Sequence, residues 1–201
     1  MRTHDFVLRL PDWMHTALPD ISQVYHTVAE RMRLAIRLAK LNVEHGTGGP
    51  FGAAIFDLET NQLLAAGVNI VVASGCSVAH AEIVALLLAQ QQLGHYDLSA
   101  AGMPRCELVA SVEPCAMCFG AIPWSGVQSL VCGARAEDAR AIGFDEGPRP
   151  AEWVAALVMR GMVVTRDVCG DEARAVLQQY QQGGGEIYNP QLTKGSLVNL
   201  H

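Results

Sequence analysis

The spacing of hydrophobic residues along the chain predicts helices and strands in alternation. Between positions 24 and 44, apolar residues recur every three or four positions, as in an amphipathic helix, and a glycine-rich run at 45–50 ends it. Two apolar runs, 51–57 and 63–72, flank a polar turn and predict a β-hairpin. The segment 80–93 is apolar on nearly every side, which indicates a buried helix. Further strands are predicted at 107–112, 129–132 and 162–165, and further helices at 115–124, 135–141 and 171–182.

This order of elements predicts an α/β fold. Strands that alternate with helices form a sheet covered on both faces, and the hairpin makes that sheet mixed rather than purely parallel. The length of 201 residues suits one domain. We expect the domain at 23–182, with an N-terminal extension at 1–22 that lies on it and, after a run of glycines, a C-terminal tail at 183–201.

Composition and charge argue against several classes of protein. With 50% hydrophobic and 17% charged residues, the chain has enough apolar material for a core, so extensive disorder is not expected. A net charge of −6 argues against nucleic acid as a partner. No apolar run reaches the roughly 18 residues that a membrane helix needs. The N-terminus also lacks the apolar core of a signal peptide, so we expect a cytoplasmic protein with reduced cysteines.

Two short motifs carry chemistry, HAE at 80–82 and PCAMC at 114–118. Each stands at the start of a predicted helix. Cys115 and Cys118 are three residues apart, so their sulfur atoms share one helix face. The partial positive charge of a helix N-terminus stabilises thiolates, which are the form of cysteine that binds metals. The second motif therefore indicates two metal ligands, and the histidine of the first motif supplies a third.

The number of ligands indicates a catalytic rather than a structural metal. Structural zinc normally has four protein ligands, whereas catalytic zinc has three and leaves a position for water, whose pKa falls to about 7. We expect His80 at the helix cap, because on a regular helix its side chain and that of Glu82 would point apart. Glu82 then reaches the water rather than the metal and serves as general base and general acid. The alternative is structural zinc with a fourth ligand, for which the candidates are Cys76, His95 and Cys132.

The two motifs, about thirty residues apart, match the signature of zinc-dependent nucleobase deaminases. With them, the sequence resembles the cytidine-deaminase-like superfamily over about 24–182, and within it the bacterial guanine deaminases. The resemblance implies a three-layer α/β/α sandwich with a five-stranded mixed sheet, one zinc ion per subunit and a homodimer. The segments that carry it are GPFGA (49–53), GVN (67–69), HAEI (80–83), EPCAMCFGA (113–121) and IGFDE (142–146).

The resemblance also implies roles for individual residues. Phe51 would pack against the substrate ring, and Asn69 would hydrogen-bond a purine edge. Trp124 would close the pocket wall, in its own or in the partner subunit. Tyr188 would cover the site from the tail, in some members after exchange of tails between subunits. The backbones of two further residues, Ala81 and Cys115, would line the pocket.

The loop formed by Phe144, Asp145 and Glu146 favours guanine as the substrate. Guanine presents an N–H group beside an amino group, two donors that suit a carboxylate, whereas cytosine and adenine present an acceptor there. A second carboxylic acid could also protonate the leaving amine; we favour Glu146, with Asp145 as the alternative. Attack at C2 would yield xanthine and ammonia. Other substrates left open are nucleosides such as guanosine, aminotriazines, cytosine and tRNA adenosine, and a non-catalytic zinc-binding domain is a further alternative.

Overall fold

The computed structural model describes residues 7–18 and 23–189, which form one mixed sheet with helices on both faces. Its strands are β1 (Gly52–Asp57), β2 (Leu63–Val68), β3 (Cys106–Val112), β4 (Ser129–Ala134) and β5 (Val163–Thr165). Its helices are α1 (Met14–Ala17), α2 (Val28–Glu44), α3 (Val71–Ser74), α4 (Ala81–Leu93), α5 (Ala116–Ser125), α6 (Ala136–Ala141), α7 (Trp153–Val158) and α8 (Gly170–Gln182).

The strand order is β2-β1-β3-β4-β5. Strand β1 runs antiparallel to both of its neighbours, and β3, β4 and β5 run parallel to one another. The predicted hairpin is the β1–β2 pair, in which Ala54 lies opposite Ala66. The start of β1 and the ends of β2 and β3 therefore meet at one edge of the sheet, and the loops at that edge carry both sequence motifs.

Alternating side chains of the strands enter two separate hydrophobic clusters. Ala54 and Phe56 pack with residues of α2 and α8 on one face, while Ala53 and Ile55 pack with residues of α4, α5 and α7 on the other. Because side chains on a strand alternate between faces, one strand contributes to both cores. The predicted three-layer α/β/α sandwich around a five-stranded mixed sheet is confirmed.

Glycines let the helices approach the strands at the edge that carries the motifs. A β-carbon on Gly67 of β2 would overlap the carbonyl oxygen of Ala81, the first residue of α4. A β-carbon on Gly52 of β1 would likewise overlap the carbonyl oxygen of Ala35 in α2. The absence of these side chains therefore sets how closely α4, and with it the first motif, lies against the sheet.

The structure differs from the sequence-based expectation after β2 and before β5. The second strand ends at Val68 instead of continuing to position 72, because the Asn69 side chain accepts a hydrogen bond from the Val71 backbone and starts the short helix α3. Helix α7 was not predicted; it is only six residues long and follows a loop rich in proline and glycine. Its Trp153 is buried in the core.

The described part of the N-terminal extension, residues 7–18, packs against the core through apolar side chains, and Met14 is fully buried. Of the predicted C-terminal tail, the structure describes positions 183–189, and positions 190–201 lie outside the described residues. None of the helices in the described ranges has the length and apolar character needed to cross a membrane.

Candidate metal centre and substrate pocket

The two motifs meet where the N-termini of α4 and α5 converge. His80 is the N-cap of α4 and Cys115 is the N-cap of α5, each with an extended backbone, and Cys118 lies in the first turn of α5. Because a cap residue is not yet helical, its side chain can point away from the helix and towards the other motif. His80 thus occupies the expected cap position.

The three predicted ligands lie at distances that suit a tetrahedral zinc ion. His80 Nδ1 is 3.5 Å from Cys115 Sγ and 3.7 Å from Cys118 Sγ. The ligand atoms of all three residues lie within 4.8 Å of one another. Zinc–sulfur and zinc–nitrogen bonds of about 2.3 and 2.0 Å at a tetrahedral angle separate the nitrogen and sulfur atoms by about 3.5 Å. The donor set therefore fits one zinc ion held by two sulfur atoms and one imidazole nitrogen.

The candidates for a fourth ligand lie elsewhere. Cys132 belongs to the core between the sheet and α4, and its burial raises the pKa of its thiol, which disfavours the metal-binding thiolate. The His95 ring contacts the Asp97 backbone and stacks on Tyr96. Within the described ranges, neither these residues nor Cys76 joins the metal cluster. A three-ligand site is what the geometry provides.

Buried acidic groups surround the candidate ligands. Burial raises the pKa of Glu82 to about 7, and the negative charge of Cys115 adds to the rise. A hydrogen bond from the Cys118 thiol lowers the pKa of Cys115 to about 4, so this sulfur is a thiolate at neutral pH. No Lys or Arg appears among the described residues that line the pocket. A thiolate beside buried carboxyl groups creates a negative potential that a divalent cation would neutralise.

The loop after α6 places two acidic residues, Asp145 and Glu146, at the cavity, but only one of them is buried. Glu146 is buried, and its burial, with the charges of Cys115 and Glu82, raises the pKa of its carboxyl to about 8. Asp145 is exposed, and its carboxylate accepts a hydrogen bond from the Gly147 backbone at 2.9 Å. Asp145 therefore stabilises the turn, while Glu146 lies beside the metal ligands.

Aromatic side chains form one wall of a cavity of about 440 Å³ above the candidate ligands. The Phe144 ring lies 5.0 Å from the ring centres of both Phe51 and Tyr188. Tyr188 places its hydroxyl inside the protein with no hydrogen-bond partner among the described residues. A largely apolar cavity of this size with a few polar groups is typical of a small-molecule site. Phe51, Phe144 and Tyr188 are therefore placed where a flat ring could stack.

Asn69 lines the same cavity with a fixed amide orientation. Its Oδ1 accepts a hydrogen bond from the Val71 backbone nitrogen at 3.2 Å. Because a backbone N–H can only donate, this bond identifies the oxygen, so the Asn69 amide offers its N–H donors to the cavity. Asn189 forms a further part of the lining and holds the acidic loop, since its side chain bonds the backbone of Asp145 and of Gly143, each at 2.8 Å.

Two of the residues expected at the pocket are not part of its lining. Ala81, whose backbone was expected there, is buried at the start of α4 and is not among the residues that line the cavity. Trp124 is 83% exposed near the end of α5, outside the cavity of its own chain. A single subunit therefore does not place Trp124 in its own pocket wall.

Sequence reasoning missed an ionic cluster directly behind the second motif. Glu113 is buried and accepts hydrogen bonds from Arg149 at 2.8 Å and from Arg166 at 2.6 Å. Arg149 also donates to the Pro114 carbonyl at 2.8 Å and lies 4.2 Å from the centre of the Trp153 ring. The signal that could have revealed the cluster is an acidic residue at the end of an apolar strand, since a buried carboxylate requires a partner.

The fold and the three-ligand site define a zinc-dependent deaminase of the α/β/α type. The profile of the cytidine and deoxycytidylate deaminase zinc-binding region matches residues 26–134. The chain therefore belongs to this family of zinc-binding deaminases.

Relatives in the family can be aligned with more than half of this chain. The guanine deaminase of Bacillus subtilis is 39% identical over 57% of this chain and 69% of its own length. The solved guanine deaminase from Nitrosomonas europaea is 47% identical, with 90% of this chain and 99% of that chain covered and a TM-score of 0.86. A protein solved with 8-azaguanine, in which an asparagine is replaced by alanine, is 47% identical over 89% of this chain and 98% of that chain, with a TM-score of 0.85. A second variant of that protein, also solved with 8-azaguanine, carries aspartate in place of a glutamate.

We predict that Cys115→Ala loses most of its bound zinc whereas Cys132→Ala retains one equivalent per chain. The first substitution removes one of three ligands, and the second removes a sulfur atom of the core. Both should be measured by atomic absorption after dialysis against a weak chelator.

Because both substitutions replace a buried cysteine by alanine, Cys132→Ala controls for the loss of packing volume. Stoichiometric zinc in Cys115→Ala, or loss of zinc in Cys132→Ala with the fold intact by circular dichroism, would contradict the assignment of the ligands.

Proposed function

We propose that this protein catalyses the zinc-dependent hydrolytic deamination of guanine to xanthine and ammonia. The observation that carries the proposal is the position of two buried carboxyl groups, Glu82 and Glu146, on the same cavity as the three zinc ligands. Both carboxyl groups have pKa values raised by burial to about 7 and about 8, so each can hold or release a proton near neutral pH. Hydrolytic deamination needs proton transfer at a ring nitrogen and at the leaving amine.

His80, Cys115 and Cys118 would hold the zinc ion. When bound, zinc supplies a Lewis acid that lowers the pKa of water to about 7 and so provides the nucleophile at neutral pH. Glu82 accepts the proton of the attacking water and delivers it to N3, the unprotonated ring nitrogen next to C2. This role agrees with the position of Glu82 in the first turn of α4, two residues after the ligand at the cap.

Glu146 acts at the amino group that leaves. As a carboxylate it accepts hydrogen bonds from the N1–H and amino groups of guanine, and it then takes up the second proton of the attacking water and passes it to the departing amine, which leaves as ammonia. The structure supports Glu146 over Asp145, because the Asp145 carboxylate is exposed and already bonded to the Gly147 backbone.

The remaining groups orient the ring. Phe51 and Phe144 provide apolar contact, and the Asn69 amide donates to an acceptor on the opposite purine edge. The asparagine and the glutamate replaced in the relative solved with 8-azaguanine are separated by the same number of residues as Asn69 and Glu146. Tyr188 and Asn189 lie over the acidic loop, which favours a free base over a base within tRNA.

We expect the zinc-loaded protein to release ammonia from guanine, and Glu82→Gln to lower kcat at least about a hundredfold while zinc remains stoichiometric. Glutamine keeps the shape of the side chain but cannot carry the proton. Ammonia release should be measured with guanine, guanosine, adenine, cytosine, cytidine and a simple aminotriazine.

Zinc content and thermal stability of Glu82→Gln serve as controls for the fold and the metal. Preference of the wild-type protein for another substrate would overturn the choice of guanine. Full activity of Glu82→Gln would overturn the mechanism for every substrate.

A matched pair of substitutions distinguishes the two acidic residues of the loop. We expect Glu146→Gln to lower kcat on guanine about a hundredfold, because the leaving amine loses its proton donor. Asp145→Asn should change kcat less than about threefold, since an amide oxygen can still accept the Gly147 hydrogen bond. The reverse ranking in steady-state kinetics would assign the second proton transfer to Asp145.

We further propose that the protein is a homodimer that pairs through α5, in the cytoplasm. Helix α5 is strongly apolar in sequence, yet only Cys118, Ile122 and Ser125 are buried. Trp124 is 83% exposed, and Leu87 on the neighbouring α4 is exposed as well. An exposed apolar patch of this kind is typical of a protein–protein interface.

A cytoplasmic location agrees with the free state of all six cysteines.

Trp124→Glu should raise the dissociation constant of the dimer at least about thirtyfold, because a buried tryptophan is a frequent energetic centre of interfaces. Tyr96→Glu is the control, since Tyr96 is an exposed aromatic residue (78%) in the loop after α4. Sedimentation velocity over a concentration series measures both. A dimer that is unaffected by Trp124→Glu would contradict the pairing through α5.

A further inference from the structure

The N-terminal segment, defined as residues 7–18, contacts the loop that joins α2 to β1. The Trp13 ring stacks on His45 with 5.4 Å between ring centres and an angle of 8°. Trp13 Nε1 donates a hydrogen bond to Thr47 Oγ1 at 2.9 Å. The proposed function assigns no role to these contacts, and neither motif includes these residues. The hydrogen bond between Trp13 and Thr47 holds the loop against the N-terminal segment in one orientation.

Thr47 is also hydrogen-bonded to Asn42, a buried residue near the end of α2. Its hydroxyl accepts from Trp13 and donates to Asn42 Oδ1 at 2.7 Å. Asn42 is fully buried, and its Nδ2 donates to the carbonyl oxygens of Gly49 at 2.9 Å and of Asn69 at 2.8 Å. All the hydrogen-bonding groups of the Asn42 side chain are thus engaged, which leaves the amide one orientation.

Of the two carbonyl groups bonded by Asn42, one belongs to Asn69, which lines the cavity, and the other to Gly49, which lies against the lining residue Tyr188. Asn69 carries the amide that lines the cavity, and its backbone nitrogen donates to the Phe51 carbonyl at 3.1 Å. Gly49 lies directly against Tyr188, since a β-carbon there would overlap the phenol oxygen. A β-carbon on Gly48 would overlap the Asn69 carbonyl oxygen, so the loop and Asn69 are packed without a gap. A displacement of Asn42 would therefore move Asn69.

We propose that Thr47 and Asn42, held by Trp13, are positioning residues that place the Asn69 amide for substrate binding. The inference rests on the proposed function in one respect, that Asn69 contacts the substrate. The N-terminal segment then contributes to substrate affinity without touching the substrate. Removal of the Thr47 hydroxyl leaves both Trp13 Nε1 and Asn42 Oδ1 without their partner, so that only its Nδ2 bonds still orient the Asn42 side chain.

Thr47→Val and Thr47→Ser form the matched test. Valine keeps the shape of threonine but lacks the hydroxyl, whereas serine keeps the hydroxyl. We expect Thr47→Val to raise KM for guanine about fivefold, with kcat within about twofold of wild type, because one hydrogen bond is lost at a distance from the reacting atoms. Thr47→Ser should have the same KM as the wild-type protein. Trp13→Phe, which removes the Nε1–H donor and keeps a smaller aromatic ring, should also raise KM and replaces Thr47→Val if that variant is poorly folded.

A double-mutant cycle with Asn69→Ala separates positioning from a general loss of stability. If Thr47 acts through Asn69, Thr47→Val causes no further rise of KM in the Asn69→Ala background. Equal effects of Thr47→Val in the two backgrounds would overturn the proposal. So would a Thr47→Val variant with the kinetics of Thr47→Ser.

Hydrogen exchange tests the same connection without substrate. The Val71 amide bonds Asn69 Oδ1, so it should exchange about fivefold faster in Thr47→Val than in Thr47→Ser, while amides at the centre of the sheet stay unchanged. Equal exchange at Val71 in both variants would overturn the proposal. If the wild-type protein does not deaminate guanine, the proposed function fails on that result alone, and the exchange measurement still decides whether Thr47 positions Asn69.

Discussion

The convergence of two helix N-termini at one edge of the sheet is the constraint on which the site depends. The caps of α4 and α5 are extended residues, and each directs its side chain into the space between the helices. The partial positive charges of the helix ends favour the Cys115 thiolate there. The same space holds the Glu82 and Glu146 carboxyl groups, whose pKa values are raised by burial. A cation bound there would stabilise the charged forms of these acidic groups, and the family to which the chain belongs binds zinc.

This convergence is maintained by contacts that lie behind the site. Glu113 at the end of β3 is paired with Arg149 and Arg166, and Arg149 also bonds the carbonyl of Pro114. Arg149 thereby links the turn that carries the cysteines to the chain after the acidic loop. A second contact joins the same two segments nearer to the metal ligands. The Ala116 backbone nitrogen donates a hydrogen bond to the Glu146 carbonyl oxygen at 2.8 Å. The distance between the metal ligands and Glu146 is therefore set by buried hydrogen bonds rather than by the loop alone.

The parts of the site that could be predicted from the sequence are local in the chain. The spacing of Cys115 and Cys118 follows from helix geometry, and the cap position of His80 follows from its separation from Glu82. Trp124 was expected in the pocket wall of its own or of the partner subunit, but it is 83% exposed on α5, outside the cavity of its own chain. The arginine partners of Glu113 are 36 and 53 residues away, and Asn42 bonds a carbonyl 27 residues away, so no local pattern indicates these contacts. A mixed sheet covered by helices on both faces was predictable because strand and helix patterns alternate along the chain.

The proposed choice of guanine depends on the pattern of donors and acceptors around the cavity rather than on its size. On one side, Glu146 offers a carboxylate, while the Asp145 carboxylate bonds Gly147 and the Asp145 backbone bonds Asn189. On another wall, the Asn69 amide presents its N–H donors, because its oxygen is turned towards the Val71 backbone nitrogen. Guanine has donors at N1 and the amino group and acceptors at O6 and N7, which matches this pattern, whereas adenine has an acceptor at N1 that would face the carboxylate. A buried acceptor placed against another acceptor costs about 1–3 kcal/mol, enough to discriminate between the two purines by roughly tenfold to a hundredfold.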